Sequence, residues 1–135
     1  LFVAIKFFEI YKRPTIPTYL GMGLRISTFL LFLGYLLQSL YIDDRKNLAH
    51  LVYIGGFSLL TLLVATRVRL AHGGFSLDYE IRSPKILMVI FGLLLSVLLR
   101  LSLNGDYTGP GIILAVLLFS LSTGLWLSNA LEKTS

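Results

Sequence analysis

The stretch HLVYIGGFSLLTLLVATRVRLAHGG, residues 50–74, decides the fold: one apolar run carries a histidine at each end and closes on Arg67, Arg69, His72 and a glycine pair. A continuous helix from His50 to His72 rises about 33 Å at 1.5 Å per residue, close to the thickness of a bilayer's hydrocarbon core. Imidazoles that far apart cannot share one metal ion. Turning at about 100° per residue, the same helix brings the second imidazole back to within about 40° of the first, so both are expected on one side of the bundle.

Outward from this run the chain keeps the same character. Of its 135 residues 56% are hydrophobic and 14% charged, and the mean hydropathy is +0.81. The charges gather in short clusters between long apolar runs, the hydropathy pattern of spanning helices, and the alternation of a barrel strand is absent. The expected fold is all-α: a polytopic transmembrane helix bundle with full spans at about 19–41, 48–70, 85–103 and 111–129, forming one unit over residues 1–135. Leu1 to Tyr11 is too short to cross a bilayer and reads as the tail of a cut helix from a longer protein; an amphipathic interfacial helix is the alternative, since Lys6 and Glu9 fall within it. Lys12 and Arg13 follow this apolar stretch, whereas a signal peptide carries its positive charge ahead of it.

The net charge of +5 does not point to nucleic acid, because Lys and Arg flank span ends instead of forming a patch with interleaved aromatics. It gives a topology. Lys12 and Arg13 mark the first connection, and Arg67, Arg69, Arg82 and Lys85 flank the third, while Asp43-Asp44-Arg45-Lys46-Asn47 is balanced and the last connection carries only Asp106. Under the positive-inside rule His72 and the C-terminus are expected on the cytoplasmic side and His50 near the opposite face of the membrane. The expected partners are the lipid bilayer and other membrane helices of the same or a partner chain.

Cysteine is absent, which removes disulfides and thiolate chemistry, and leaves the two histidines and two methionines as soft or borderline metal ligands. His50 lies at a span entrance, ahead of Gly55-Gly56, where a flat ligand or a close helix would fit; water or headgroups would also satisfy it, with the glycines serving helix packing. Arg67 and Arg69 are either interfacial anchors or a grip for haem propionates or another anion, with His72 supplying a metal ligand. Met22 and Met88 fall at roughly the depth of His72 and are weak-ligand candidates, though packing is the commoner use of a membrane methionine. Arg25 and Arg100 interrupt apolar sequence near span ends, where snorkelling is open to both and Arg100 has Asp106 or the Asp43-Asp44 loop as pairing candidates. No paired carboxylates, Ser/His/Asp set or phosphate loop occurs, so no catalytic residue is assigned and hydrolase or nucleotide-driven activity is unsupported.

The order of a Pro-containing connection, an apolar span, His50, Gly55-Gly56 and then Thr66-Arg67-Val68-Arg69-Leu70-Ala71-His72-Gly73-Gly74 resembles the C-terminal part of the NnrS family. These are polytopic membrane proteins associated with haem, copper and the response to nitric oxide. Arg67, Val68, Leu70, His72 and Gly74 match the family's Arg-Val-x-Leu-Gly-His-Thr-Gly-Arg pattern, His50 matches its opening histidine, and the final span with Trp126 is also similar. Ala71, Gly73 and Phe75 depart from the pattern, and the first complete span lacks the histidine commonly found there. The resemblance implies haem or copper held by His50 and His72 at separate sites, Arg67 and Arg69 as anion partners, and binding, sensing or relief of nitric oxide stress without a required catalytic step. Rival readings are a non-catalytic membrane subunit packed in a larger complex and a transporter or channel fragment.

Overall fold

The computed structural model describes residues 18–73, 83–102 and 109–132, with side chains described as far as Ala130. Leu1–Tyr11, the Pro14 and Pro17 connection, most of the 71–84 connection and the turn holding Asp106 lie outside them. Within the described residues the chain is helical and contains no strand, and four helices are long and apolar enough to cross a membrane. We number them α1 (Tyr19–Leu40), α2 (Arg45–His72), α3 (Pro84–Ser102) and α4 (Pro110–Glu132).

Each boundary has a local cause. Thr18 caps α1, its side chain accepting from the Gly21 amide at 2.9 Å. Pro84 and Pro110 open α3 and α4, where the amide that proline lacks would have no helical partner. Gly73 ends α2, its N–H donating to Arg69 O at 2.9 Å. The α1–α2 connection is shorter than the sequence indicates, since Arg45, Lys46 and Asn47 already belong to α2. Arg45 reaches back across it to donate to Gln38 O at 3.3 Å.

The helices associate as two neighbouring pairs, α1 with α2 and α3 with α4, joined where α2 meets α3. One half of the bundle is filled by Leu20, Leu59, Leu63, Ile86, Val89, Ile90 and Leu93. Outward faces carry Phe29, Tyr35, Phe91, Leu98, Leu117 and Leu121, an apolar exterior suited to lipid. Buried hydroxyls spend their protons locally: Ser27 donates to Leu24 O and Ser122 to Leu118 O, so neither is left unsatisfied where water is scarce.

The sequence gives no warning of the second helix's interior. α2 is continuous, but Leu51–Ser58 within it is π-helical, each amide reaching one residue further back than in an α-helix. Ser58 reinforces this register by donating to Tyr53 O, five residues back, at 2.8 Å. The helix turns less per residue here, so the phase extrapolated for a uniform α-helix fails: His50 faces α3 and α4, whereas His72 lies on an outward strip of α2.

The wide register coincides with a close approach of α1 to α2. A Cβ built on Gly56 would lie 3.0 Å from Leu31 Cβ and 3.1 Å from its Cα; one on Gly34 would lie 2.6 Å from Val52 Cγ2. Glycine at these positions lets α1 run against the π-helical segment backbone to backbone. Gly56→Val is therefore expected to destabilise the bundle by about 1–3 kcal/mol through overpacking. Gly124 has nothing within 4 Å of an added Cβ, and Gly124→Ala is expected to be neutral or to gain up to about 1 kcal/mol. Reversible denaturation in mixed micelles measures both, and equal losses would contradict the contact.

Candidate functional site

At the end of the bundle where α2 begins and α3 finishes, α2, α3 and α4 enclose a partly open cleft of about 380 Å³ lined by His50, Ile54, Ser96, Arg100, Ile112, Ala115, Val116 and Phe119. Its volume, and the ratio of many apolar groups to few polar ones, are those of a small-ligand pocket. The imidazole stands at the last residue before the π-helical segment, and Arg100 in the last turn of α3, where backbone carbonyls favour a cation.

His50 Nδ1 lies 3.0 Å from Lys46 O, and Arg100 Nε donates to His50 Nε2 at 3.3 Å. A carbonyl accepts only, so this network assigns the ring proton to Nδ1 and leaves Nε2 as acceptor. Arg100 is only 5% exposed, so it does not snorkel. It reaches the histidine that opens α2, a contact across 50 positions of sequence. Deeper in the cleft Ser96 donates to Ala115 O at 2.8 Å and ties α3 to α4.

At the opposite end of α2, His72 is exposed and its Nδ1 lies 2.8 Å from Val68 O. This selects the same tautomer, with Nε2 turned outward. Leu60, Thr61, Val64, Ala65, Val68 and Arg69 form a shallow apolar strip along the helix that ends at this imidazole. Arg69 shares the strip, and its Nη1 donates to Asn129 O of α4 at 3.1 Å. Arg67 is exposed and does not line the strip. Met22 and Met88 are exposed on α1 and α3, and neither lines the strip.

Among the described residues no group of three or more His, Cys, Asp or Glu side chains is gathered for a metal ion. The two histidines therefore differ in what they offer. His72 fits a metal or haem iron: its Nδ1–H is fixed by a backbone carbonyl, the usual outer support of a ligating imidazole, and its Nε2 is open. His50 has the same support, but a guanidinium holds its Nε2, and a metal cation there would have to displace it.

Trp126 links α4 to α2 near the His72 end, its Nε1 donating to Thr66 Oγ1 at 2.8 Å while Thr66 donates to Leu62 O at 2.7 Å. Sequence reading placed Trp126 in the final span without a partner. The Arg100–His50 contact was also missed; the available signals were an arginine in an apolar run and a histidine at a span entrance assigned to the same side of the membrane.

Together these features define a polytopic helical membrane protein with one histidine in an interhelical cleft and another on an outward strip of the same helix. The sequence pattern of a known family, described as NnrS protein, matches residues 1–133, and the chain belongs to the NnrS family. Neither a curated protein nor a solved structure matches it.

The Trp126–Thr66 link gives a direct test of the helix pairing. Thr66→Val removes the acceptor for the indole and is expected to destabilise by about 0.6–2 kcal/mol, the range between typical membrane hydrogen bonds and a buried unsatisfied donor. A double-mutant cycle with Trp126→Phe in a denaturation assay checks it, and a coupling energy near zero would remove the link.

Proposed function

We propose that this chain is the part of an NnrS-type bacterial inner-membrane protein that binds haem or copper through His72, in the service of a nitric oxide stress response. The supporting observation is the ring orientation of His72, with Nδ1 tied to Val68 O and Nε2 presented beside an apolar strip that ends at Arg69. In this reading the strip receives the flat apolar body of a macrocycle, while Arg69 and the exposed Arg67 neutralise its carboxylates through charge-assisted hydrogen bonds. The bound metal would supply affinity for nitric oxide; the protein's part is to orient the ligand and shield one face of it from water. Further metal ligands come from residues beyond the described ones or from another molecule. His50 joins as a ligand at a separate site only when Arg100 withdraws from its Nε2.

The placement of His72 and the C-terminus on the cytoplasmic side follows from loop charge and belongs to the same proposal. A second reading, a non-catalytic subunit packed in a larger membrane complex, draws on the exposed apolar face of α4, with Ile113, Leu114, Leu117, Leu121 and Leu127 all outward. That reading expects pigment-free protein that copurifies with other membrane chains.

The deciding experiment is absorption spectroscopy with metal analysis on purified wild type, His72→Ala and His50→Ala. The expected result is a Soret band or bound copper in wild type that is lost in His72→Ala and reduced less in His50→Ala. Wild-type protein with neither signal, or signals that survive His72→Ala unchanged, would overturn the proposal.

A further inference from the structure

Arg25 is the only charged residue of α1, and it lies six positions, about 9 Å, beyond Tyr19, the first residue of the helix. It stands two positions from both Gly23 and Ser27, which are buried against the bundle, so it projects from the opposite side. Among the described residues Arg25 takes part in no hydrogen bond or ion pair. A guanidinium at membrane depth needs an acceptor, and none of the described residues supplies one.

Helical side chains lean toward the N-terminus, which carries Arg25 over Gly21, one turn nearer the membrane surface. Gly21 has no side chain of its own, and among the described residues an added Cβ would meet only Thr18 Oγ1 within 4 Å beyond its chain neighbours. The guanidinium can therefore rise to the first turn of α1, the level of Tyr19 and of lipid headgroups. In the opposite direction Phe29, the i+4 neighbour of Arg25, and Leu36, two turns further on, are exposed and carry an apolar strip about 10 Å deeper into the span.

We infer that the outer face of α1 holds one phospholipid, its phosphate on Arg25 and an acyl chain along Phe29 and Leu36. The planar fork of a guanidinium suits the paired oxygens of a phosphate. A lipid whose phosphate is the only charge of its head, such as phosphatidylglycerol, fits best, since it brings no ammonium to compete for the same oxygens. Free inorganic phosphate would lose hydration beside the exposed Met22 and Phe29 and regain one partner. A carboxylate from another span would have to come to the depth of Arg25 itself, whereas a phosphate already lies at the level toward which the side chain leans. The inference stands apart from the metal proposal, which concerns α2.

The test is native mass spectrometry of the full chain released from neutral detergent and titrated separately with phosphatidylglycerol, with diacylglycerol, which has the tails without the phosphate, and with inorganic phosphate. One phosphatidylglycerol per chain is expected, with diacylglycerol held about ten- to hundredfold more weakly, the loss of one charge-assisted contact, and inorganic phosphate not retained. Arg25→Gln should weaken phosphatidylglycerol binding by the same factor, and Arg25→Lys, which keeps the charge without the fork, should weaken it less. If Arg25→Gln fails to fold, the two partial ligands decide. Failure of wild type to retain phosphatidylglycerol, diacylglycerol or inorganic phosphate held as firmly, or unchanged binding in Arg25→Gln would overturn the inference. Another membrane chain retained in place of the lipid and lost in Arg25→Gln would assign the acceptor to a protein carboxylate and overturn it as well. A Soret or copper signal at His72 is expected to persist in Arg25→Gln, so the two proposals fail separately.

Discussion

The contact of α1 with the π-helical segment Leu51–Ser58 governs the geometry of everything that follows along α2. A π-helical turn is wider than an α-helical one and is rarely held for long, so eight residues of it need support from their surroundings. That support comes from packing of unusual closeness: Gly56 lies against the Leu31 backbone and Val52 fills the space left by Gly34. Without side chains at the two glycines, van der Waals attraction acts between main chains, which in lipid is a principal source of helix association. The register is held in place by the same residues that hold the helices together.

From that register follows the separation of the two histidines. Each is tied through Nδ1 to the carbonyl four residues earlier, the ordinary i−4 geometry of a helical side chain, so the local chemistry is identical. What differs is the neighbourhood. His50 meets a guanidinium in a three-helix cleft, and His72 meets an exposed strip of its own helix. Two imidazoles with the same tautomer are thereby given different uses: one presents its Nε2 lone pair outward, and the other uses it to steady an arginine.

The spans were legible in the sequence because they follow from composition alone. Long apolar runs bounded by charge put α1, α3 and α4 within a few residues of their positions, and family membership agrees with the motif from Thr66 to Gly74 and His50. The phase of α2 was not legible, since a period of 3.6 was assumed throughout and nothing in Leu51–Ser58 announces a wider turn; Gly55-Gly56 announces close packing, which is only half of the cause. Arg100 was recognised as an oddity in apolar sequence, but its hydrogen bond to His50 arises from the α2–α3 interface, a tertiary fact. Trp126 was read as a family likeness, and its bond to Thr66 likewise required the packing of α4.

Polar groups at membrane depth explain why the α3–α4 pair meets α2 in the way it does. An arginine or indole N–H placed among apolar side chains must find an acceptor within the protein, and each such acceptor fixes the relative height of two helices. Trp126 with Thr66 and Arg69 with Asn129 O set α4 against one end of α2, while Arg100 with His50 sets α3 against the other. The ties of α4 to α2 lie at the Trp126 end, and at the opposite end Ala115, the small residue in the lining, borders the cleft between α2, α3 and α4. The cleft therefore opens at the end of α4 away from its bonds to α2.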